Sequence, residues 1–501
     1  MEMLNLLSFH AIKNITLSGQ TTNSYSDIFR GMKIFGGVQA FQMAVALLRG
    51  KFVAMILGQT GMGITSLFTS SAATIQQLAS LGVPVATARD VAADSEASER
   101  LALTVAASRL ATFLTGACAA AMCVLFASAL SIFTFGSTSE TLGFSLLGAF
   151  VWLQMAGANE IALMQGLRSL KRLSRSSLIA SAAGLCVAVP MYYIWHMAAI
   201  VPALVAMAAI ALAVSRYNSA RALKENSVVL PQKTAFSEVW PVSRRLIAFG
   251  LVLTVTGVMT QAAIYLVNVF IRYAGTYEDV GYYSAGTSIC NQCVTMVFAA
   301  MAMDYFPRLM KCIATPGLWQ PAVRRQAELV SLLAAPLAVA LMLAAPLVIQ
   351  ILFTDGFMPM TPMLKWMAAA IFMRSLSYPL GYVILAKGNR MLYFSTEGIA
   401  CNLVFFVAMS LGYSLWGITG FGIASVIVYS ADTVIYYLIA RKAYGFTYGR
   451  TCRRTLPVLM LLVGLSLAAS LLLPELHARV AGGLLLALTV AYTVVALRHR
   501  L

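Results

Sequence analysis

Charged residues are scarce in this sequence. They make up 11% of the 501 residues, against 60% hydrophobic residues, and the mean hydropathy is +0.81. Soluble domains carry about 25% charged residues. The composition therefore excludes an ordinary soluble protein and predicts an all-α, polytopic membrane protein. A chain of this length has room for about 12 to 15 spans of roughly 20 residues each.

Motifs for nucleotide hydrolysis, metal binding and secretion are also missing. No Gly-x-x-x-x-Gly-Lys-Ser/Thr occurs, so we expect no direct use of ATP. Cys290-Asn-Gln-Cys293 lies within an apolar run without a second pair or a nearby histidine, which favours structural cysteines and no metal. The first fourteen residues lack a basic region followed by an apolar core, so we expect no cleavable signal peptide. We predict no cofactor.

Acidic residues are few relative to basic ones. The chain has 18 Asp and Glu against 35 Lys and Arg, a net charge of +17. Such an excess can indicate nucleic-acid binding, but here its distribution follows the topology, so we expect no nucleic acid. Apolar runs between charged and Pro or Gly breaks predict fourteen spans. Their approximate limits are 31–57, 62–83, 104–133, 142–166, 176–195, 199–215, 247–271, 281–303, 328–353, 359–386, 391–413, 418–440, 455–473 and 480–497.

The positions of the basic residues test this count. With fourteen spans, 28 of the 35 lysines and arginines fall in segments on one side, two on the other and five within spans. Cytoplasmic segments carry the excess of Lys and Arg, so both termini are predicted to be cytoplasmic. The connections on the outer side are too short to hold a catalytic domain. The protein is therefore not expected to be an enzyme.

The chain is predicted to contain two six-helix lobes, residues 1–225 and 226–446, followed by two additional helices in 447–501. The longest inner connection, about 216–246, is interpreted as the linker between the lobes. Gly63-Ile-Thr-Ser-Leu-Phe-Thr-Ser70 and Gly281-Tyr-Tyr-Ser-Ala-Gly-Thr-Ser288 match at four of eight positions at equivalent places in the two lobes. Duplicated halves are frequent in secondary transporters, whose substrate site lies between them.

Basic residues inside spans are expensive, and they usually face the bundle interior or a wet cavity. The candidate ligands are the five within spans, Arg49, Lys51, Arg109, Lys365 and Arg374, together with Arg272 at the outer end of its span. Structural ion pairs, or snorkelling to the headgroups, are the alternatives. On a regular helix Arg49 and Lys51 point about 200° apart, so both cannot face one cavity. Three acids in spans, Glu160, Glu397 and Asp432, are candidates for proton or sodium coupling or for neutralising an arginine.

The five basic and three acidic residues within the spans leave a positive surplus. A surplus of this sign favours an anionic substrate over a cationic drug, and the planar guanidinium fork suits phosphate.

Residues 31–85 resemble the start of a known family. Ile34-Phe-Gly-Gly-Val-Gln39, Ala46-Leu-Leu-Arg-Gly-Lys-Phe-Val-Ala-Met-Ile-Leu-Gly58 and Gly61-Met-Gly-Ile-Thr-Ser-Leu are similar to Wzx-type O-antigen and polysaccharide flippases. These belong to the multidrug/oligosaccharidyl-lipid/polysaccharide (MOP) exporter superfamily. The second lobe has no equivalent of the Arg49-x-Lys51 pair.

The resemblance implies transport of an undecaprenyl-pyrophosphate-linked oligosaccharide from the cytoplasmic to the periplasmic leaflet of the bacterial inner membrane. It also implies alternating access, coupling to an ion gradient, contact with membrane lipids and work alongside the polysaccharide polymerase machinery. Arg49 and Arg374 are the favoured pyrophosphate ligands, with Lys51 and Lys365 secondary. A lipid II flippase and a multidrug/cation antiporter are the alternative transporters. A polymerase or ligase is disfavoured by the short outer loops, and a scaffold by the intramembrane arginines.

Overall fold

A computed structural model describes residues 24–94, 98–226, 236–313, 315 and 317–498. Within these ranges all regular elements are helical and no strand occurs, which confirms the all-α class. The α-helices are α1 Ser24–Ser80, α2 Val83–Ala93, α3 Ser98–Leu125, α4 Ala127–Phe135, α5 Thr141–Gly166, α6 Leu170–Trp195, α7 Ile200–Glu225, α8 Phe236–Ala274, α9 Tyr277–Cys312, α10 Trp319–Leu352, α11 Thr361–Ala386, α12 Arg390–Tyr393, α13 Cys401–Tyr444, α14 Arg450–Leu472 and α15 Glu475–Arg498. Short 3₁₀ turns span His196–Ala199 and Asp355–Met360, and a π-helix spans Phe394–Ala400.

Ten segments of the described chain are long and apolar enough to cross a membrane. The segment within α1 contains two limbs, because Gly58 has φ 67° and ψ −164°. Gln42 and Gln76 line the same cavity on either side of this glycine. A straight helix would separate them by about 51 Å, at 1.5 Å per residue. The chain therefore reverses at Gly58, where the sequence predicts the first outer turn.

The long helix α13 reverses in the same way. Gly417 has φ 56°, and a Cβ built on Gly412 would lie 2.6 Å from the carbonyl oxygen of Gly420. Eight residues along a straight helix would span about 12 Å. A third long segment consists of α6 and α7, joined by the 3₁₀ turn His196–Ala199. These reversals, together with α9, are consistent with the fourteen predicted crossings.

The predicted inner linker is shorter in the structure. Helix α7 continues to Glu225 and α8 already begins at Phe236, so most of 216–246 is helical. Ala222 and Leu223 are buried in a cluster with Leu163, which explains why α7 extends beyond its predicted span. The three-unit division of the chain stays a prediction.

Candidate functional site

Two neighbouring cavities lie among the helices. The larger has a volume of about 740 Å³ and is lined mainly by residues of the first lobe. The smaller, about 480 Å³, is lined mainly by residues of the second. Ser66, Thr69 and Ala73, on the second limb of α1, line both, so this limb forms the wall between the two. We call them the first-lobe and second-lobe cavities.

Arg49 is the one charged residue among the described residues that line the first-lobe cavity. Its side chain is exposed to this space, and one guanidinium nitrogen lies 3.8 Å from the sulfur of Met207. Lys51 lies outside the lining of this cavity, as the 200° separation of the two side chains requires. Amide and hydroxyl side chains supply the remaining polarity: Gln42, Thr65, Ser66, Thr69, Gln76, Gln154, Ser181, Tyr192, Ser284, Ser288 and Gln292.

The second-lobe cavity brings Arg374 together with two carboxylates, Glu397 and Asp432. The Arg374 guanidinium lies 5.3 Å from the ring centroid of Tyr429. Within the described chain no carboxylate oxygen comes within 4.0 Å of its nitrogens. One buried carboxylate oxygen of Asp432 has no hydrogen-bond partner. Arg374 and Asp432 therefore face the same space as charges that no direct ion pair neutralises.

Glu397 is held by a separate contact. It lies in the π-helix Phe394–Ala400, and its carboxylate accepts a hydrogen bond from the hydroxyl of Tyr436. The Cys401 thiol in turn lies 3.6 Å from that hydroxyl. π-Helical turns often occur at functional sites because they change the direction of side chains along a helix. A further cavity of about 330 Å³ continues past Arg374 towards Tyr393.

Arg109 and Glu160 form an ion pair away from both cavities. Nε and Nη2 of Arg109 each lie 2.9 Å from a carboxylate oxygen of Glu160, in a bidentate arrangement. Arg216 adds a contact of 2.7 Å to the same carboxylate, and the Ser219 hydroxyl donates to it as well. Helices α3, α5 and α7 are thereby tied together. This geometry matches the structural alternative that the sequence left open for these residues.

Lys365 and Arg272 also lie outside the two cavities. The Lys365 ammonium donates to the carbonyl of Ser470, at 2.6 Å, and so connects α11 to α14. Arg272 donates to the carbonyl of Phe135, at 2.9 Å, and its guanidinium lies 4.3 Å from the centroid of Tyr277. Arg272 thus joins the end of α8 to the end of α4 at the outer side of the bundle.

The positive surplus predicted from the sequence does not collect in one cavity. Arg109 is paired, and three other basic candidates lie elsewhere. The first-lobe cavity carries one positive charge, whereas the second-lobe cavity carries one arginine and two carboxylates. Arg49 and Arg374 therefore line adjacent cavities rather than opposite walls of one. Sequence reasoning missed Tyr429, Tyr436 and Cys401, because such residues in apolar spans look like packing.

The two repeated glycines meet at the outer side of the bundle. A Cβ on Gly63 would lie 1.9 Å from the carbonyl oxygen of Tyr277, and one on Gly281 would lie 2.2 Å from that of Gln59. Gly63 opens the second limb of α1, and Gly281 lies in the first turns of α9. The contact is therefore reciprocal across the two predicted lobes. Only glycine permits this approach, which closes the lobes against each other at their outer ends.

Comparison with known proteins identifies the family. The profile of the family described as "Polysaccharide biosynthesis protein" matches residues 52–362. The chain belongs to this family. Relatives of the chain include the lipid III flippases of Escherichia coli (strain K12) and Shigella flexneri. Each is 22% identical over 410 residues, which cover 79% of this chain and 93% of the relative.

Solved structures share the fold. The lipid II flippase MurJ in an inward closed conformation matches with a TM-score of 0.66 and 13% identity, covering 94% of this chain and 99% of its own. An inward-facing multidrug resistance MATE family transporter of the MOP superfamily matches with a TM-score of 0.65 and 14% identity, covering 80% and 94%. The fold that the resemblance of residues 31–85 implies is thus confirmed. The chain is a multi-pass membrane protein of that fold.

Proposed function

We propose that this protein is a flippase that moves an undecaprenyl-pyrophosphate-linked oligosaccharide from the cytoplasmic to the periplasmic leaflet of the bacterial inner membrane. The observation that carries the proposal is the first-lobe cavity, in which Arg49 is surrounded by amides and hydroxyls and faces no acid among the lining residues. The product would serve surface polysaccharide synthesis of the O-antigen type, upstream of a polymerase. No covalent step is proposed.

The cavity chemistry fits such a substrate in two parts. A guanidinium can donate two parallel hydrogen bonds to a phosphate, and charge-assisted bonds of this kind are about twice as strong as neutral ones. Serine, threonine and glutamine side chains both donate and accept hydrogen bonds, as sugar hydroxyls do. Arg49 would hold the pyrophosphate while the polar walls accommodate the sugars. The second-lobe cavity adds Arg374 beyond the shared wall at Ser66 and Thr69.

The second-lobe cavity also suggests where ion coupling occurs. Arg374 lines the same space as Glu397 and Asp432 without forming an ion pair with either. A proton or sodium ion on these acids would cancel part of their attraction for the guanidinium, and a bound pyrophosphate would compete for the same guanidinium. Ion binding to the acids and pyrophosphate binding would therefore both change the electrostatic interactions of Arg374. Coupling of this kind requires two alternative arrangements of the lobes.

Alternating access requires contacts between the two lobes that can form and break on each side of the membrane. The Gly63–Gly281 contact and the Arg272 bond to the Phe135 carbonyl close the outer side. On the inner side, Arg245 of α8 lies 3.2 Å from the Asp90 carboxylate of α2. We propose that the substrate enters from the cytoplasmic side while the outer contacts are made, and leaves after they separate.

The test is complementation of bacterial strains that each lack one defined lipid-linked oligosaccharide flippase. The wild-type chain should restore surface polysaccharide and remove the accumulated undecaprenyl-linked intermediate, identified by mass. R49A should accumulate in the membrane without restoring export. R221A, which removes an exposed arginine outside both cavities, is the matched control and should behave as wild type.

Two outcomes would reject the proposal. Rescue of a strain lacking a lipid II flippase, with no rescue of the oligosaccharide strains, would assign the protein to the peptidoglycan precursor instead. Drug resistance without either rescue would assign it to the multidrug antiporters. Normal export by R49A would remove Arg49 from the substrate site even if the class of substrate is right.

A further inference from the structure

A fourth cavity lies on the side of the first lobe, separate from the three described above. It has a volume of about 420 Å³ and lies among α3, α5 and α7. It shares no lining residue with the first-lobe or second-lobe cavity. Phe113, which is 52% exposed, and Trp152 pack edge to face in its wall. We call it the lateral groove.

One end of the lateral groove is charged. Arg109, Glu160 and Arg216 all line it, and the two arginines share the one carboxylate. The cluster therefore keeps one uncompensated positive charge. The Glu160 side chain is 2% exposed, whereas that of Arg216 is 56% exposed. The surplus charge is thus accessible from the groove, while the carboxylate is not.

The predicted spans place the charged end near the depth of the lipid phosphates. Arg216 directly follows the predicted span 199–215 and so lies at its cytoplasmic end. The groove continues along α7 through Leu212 and Ala209, one and two turns deeper in the hydrocarbon region. The groove has apolar walls and a positive charge at one end. This arrangement matches a phospholipid, which has apolar acyl chains and a phosphate headgroup.

We propose that the lateral groove binds one anionic phospholipid of the cytoplasmic leaflet. Its phosphate would contact Arg216 beside the Arg109–Glu160 pair, and one acyl chain would lie against Phe113, Trp152 and Leu212. The uncompensated charge favours an anionic headgroup over a zwitterionic one, because each basic residue near an anionic lipid surface contributes about 1 kcal/mol. The lipid would connect three helices of the first lobe without entering the transport cavities.

The test compares phosphatidylglycerol with phosphatidylcholine of the same acyl chains, titrated against the purified full-length protein. Binding is measured as retained lipid by native mass spectrometry and as a shift in thermal midpoint. Wild type should prefer phosphatidylglycerol. R216Q should bind it about fivefold more weakly, the effect of one interfacial basic residue, with phosphatidylcholine binding unchanged. Glu160 keeps its bidentate partner in this variant, so the fold should be maintained.

R221Q is the control, because Arg221 lies on the same helix but outside the groove. It should retain the full preference for phosphatidylglycerol. A209W places an indole at the apolar end and should weaken retention of both lipids. Equal preference in R216Q and wild type, or no preference in wild type, would overturn the proposal. Binding of undecaprenyl phosphate through Arg216 in place of phosphatidylglycerol would assign the groove to the substrate and likewise overturn it.

Discussion

Replacing Gly63 with alanine should open the outer side of the bundle. The added Cβ would lie 1.9 Å from the Tyr277 carbonyl oxygen and 2.9 Å from its carbon. Both atoms belong to the backbone, so no side-chain rotation can relieve the contact. Gly281→Ala should act in the same way, because its Cβ would lie 2.2 Å from the Gln59 carbonyl oxygen.

The size of the effect follows from these distances. Real Cβ contacts essentially never fall below 3.0 Å, so α9 must move away from the second limb of α1 by about 1 Å. Overpacking of this kind costs about 1–3 kcal/mol. The cost applies only to the state in which the outer ends touch. The ratio of open to closed molecules should therefore rise by about 5- to 150-fold.

Spin labels at Ser139 and Ser414 would measure the separation of the outer ends. Both residues are exposed, and they lie in the outer turns of the first and second lobes, respectively. The cysteines that are exposed or partly exposed would first be changed to serine so that labelling is specific: Cys118, Cys186, Cys290, Cys293 and Cys312. Double electron–electron resonance then gives the distance distribution between the labels.

Gly63→Ala should shift this distribution towards longer distances relative to the wild type. Gly464→Ala is the matched control, since a Cβ there meets nothing within 4 Å. Its distribution should be unchanged. If Gly63→Ala and Gly464→Ala give the same distribution, the glycine contact does not determine outer closure and the reasoning fails.

Three further substitutions test other parts of the account. Glu160→Gln should lower the free energy of unfolding by about 3 kcal/mol, the low end for a broken buried ion pair because one partner is partly exposed. The measurement is the thermal midpoint of unfolding. Glu225 is exposed, so Glu225→Gln should barely change this midpoint. An equal decrease for Glu160→Gln and Glu225→Gln would show that the Glu160 ion pairs do not stabilise the fold. Asp432→Asn should bind the lipid-linked substrate but lose gradient-dependent transport in vesicles, and retained dependence would make this carboxylate structural. Arg49→Lys should restore only part of polysaccharide export, because an ammonium lacks the bidentate fork; full restoration would show that charge alone is enough.

The membrane architecture was largely predictable because it depends on local sequence. Apolar length, glycine breaks and the bias of basic residues each follow from the chemistry of the bilayer. The reversal at Gly58 lies in the glycine cluster that predicts it. The separation of Arg49 from Lys51 follows from helix geometry alone. The helical extension of α7 beyond its predicted span was not predictable, since it depends on packing against distant residues.

The division of charges between cavities could not be derived from one sequence. Depth in the membrane can be read from position along a span, but the neighbour of a side chain depends on how each helix is rotated. Arg109 and Arg374 look alike in sequence, yet one has a bidentate carboxylate and the other faces a cavity. Glu397 meets Tyr436 through a π-helix that apolar periodicity does not reveal.

The most direct test of the central claim is transport by the purified protein. Vesicles containing the protein and an undecaprenyl-pyrophosphate-linked oligosaccharide would be probed with a glycan-modifying enzyme added outside, which measures how fast the inner-leaflet lipid becomes accessible. Wild type should equilibrate the leaflets, and R49A should do so roughly 10- to 100-fold more slowly, as expected for loss of charge-assisted hydrogen bonds. Equal rates for wild type, R49A and protein-free vesicles would contradict the account.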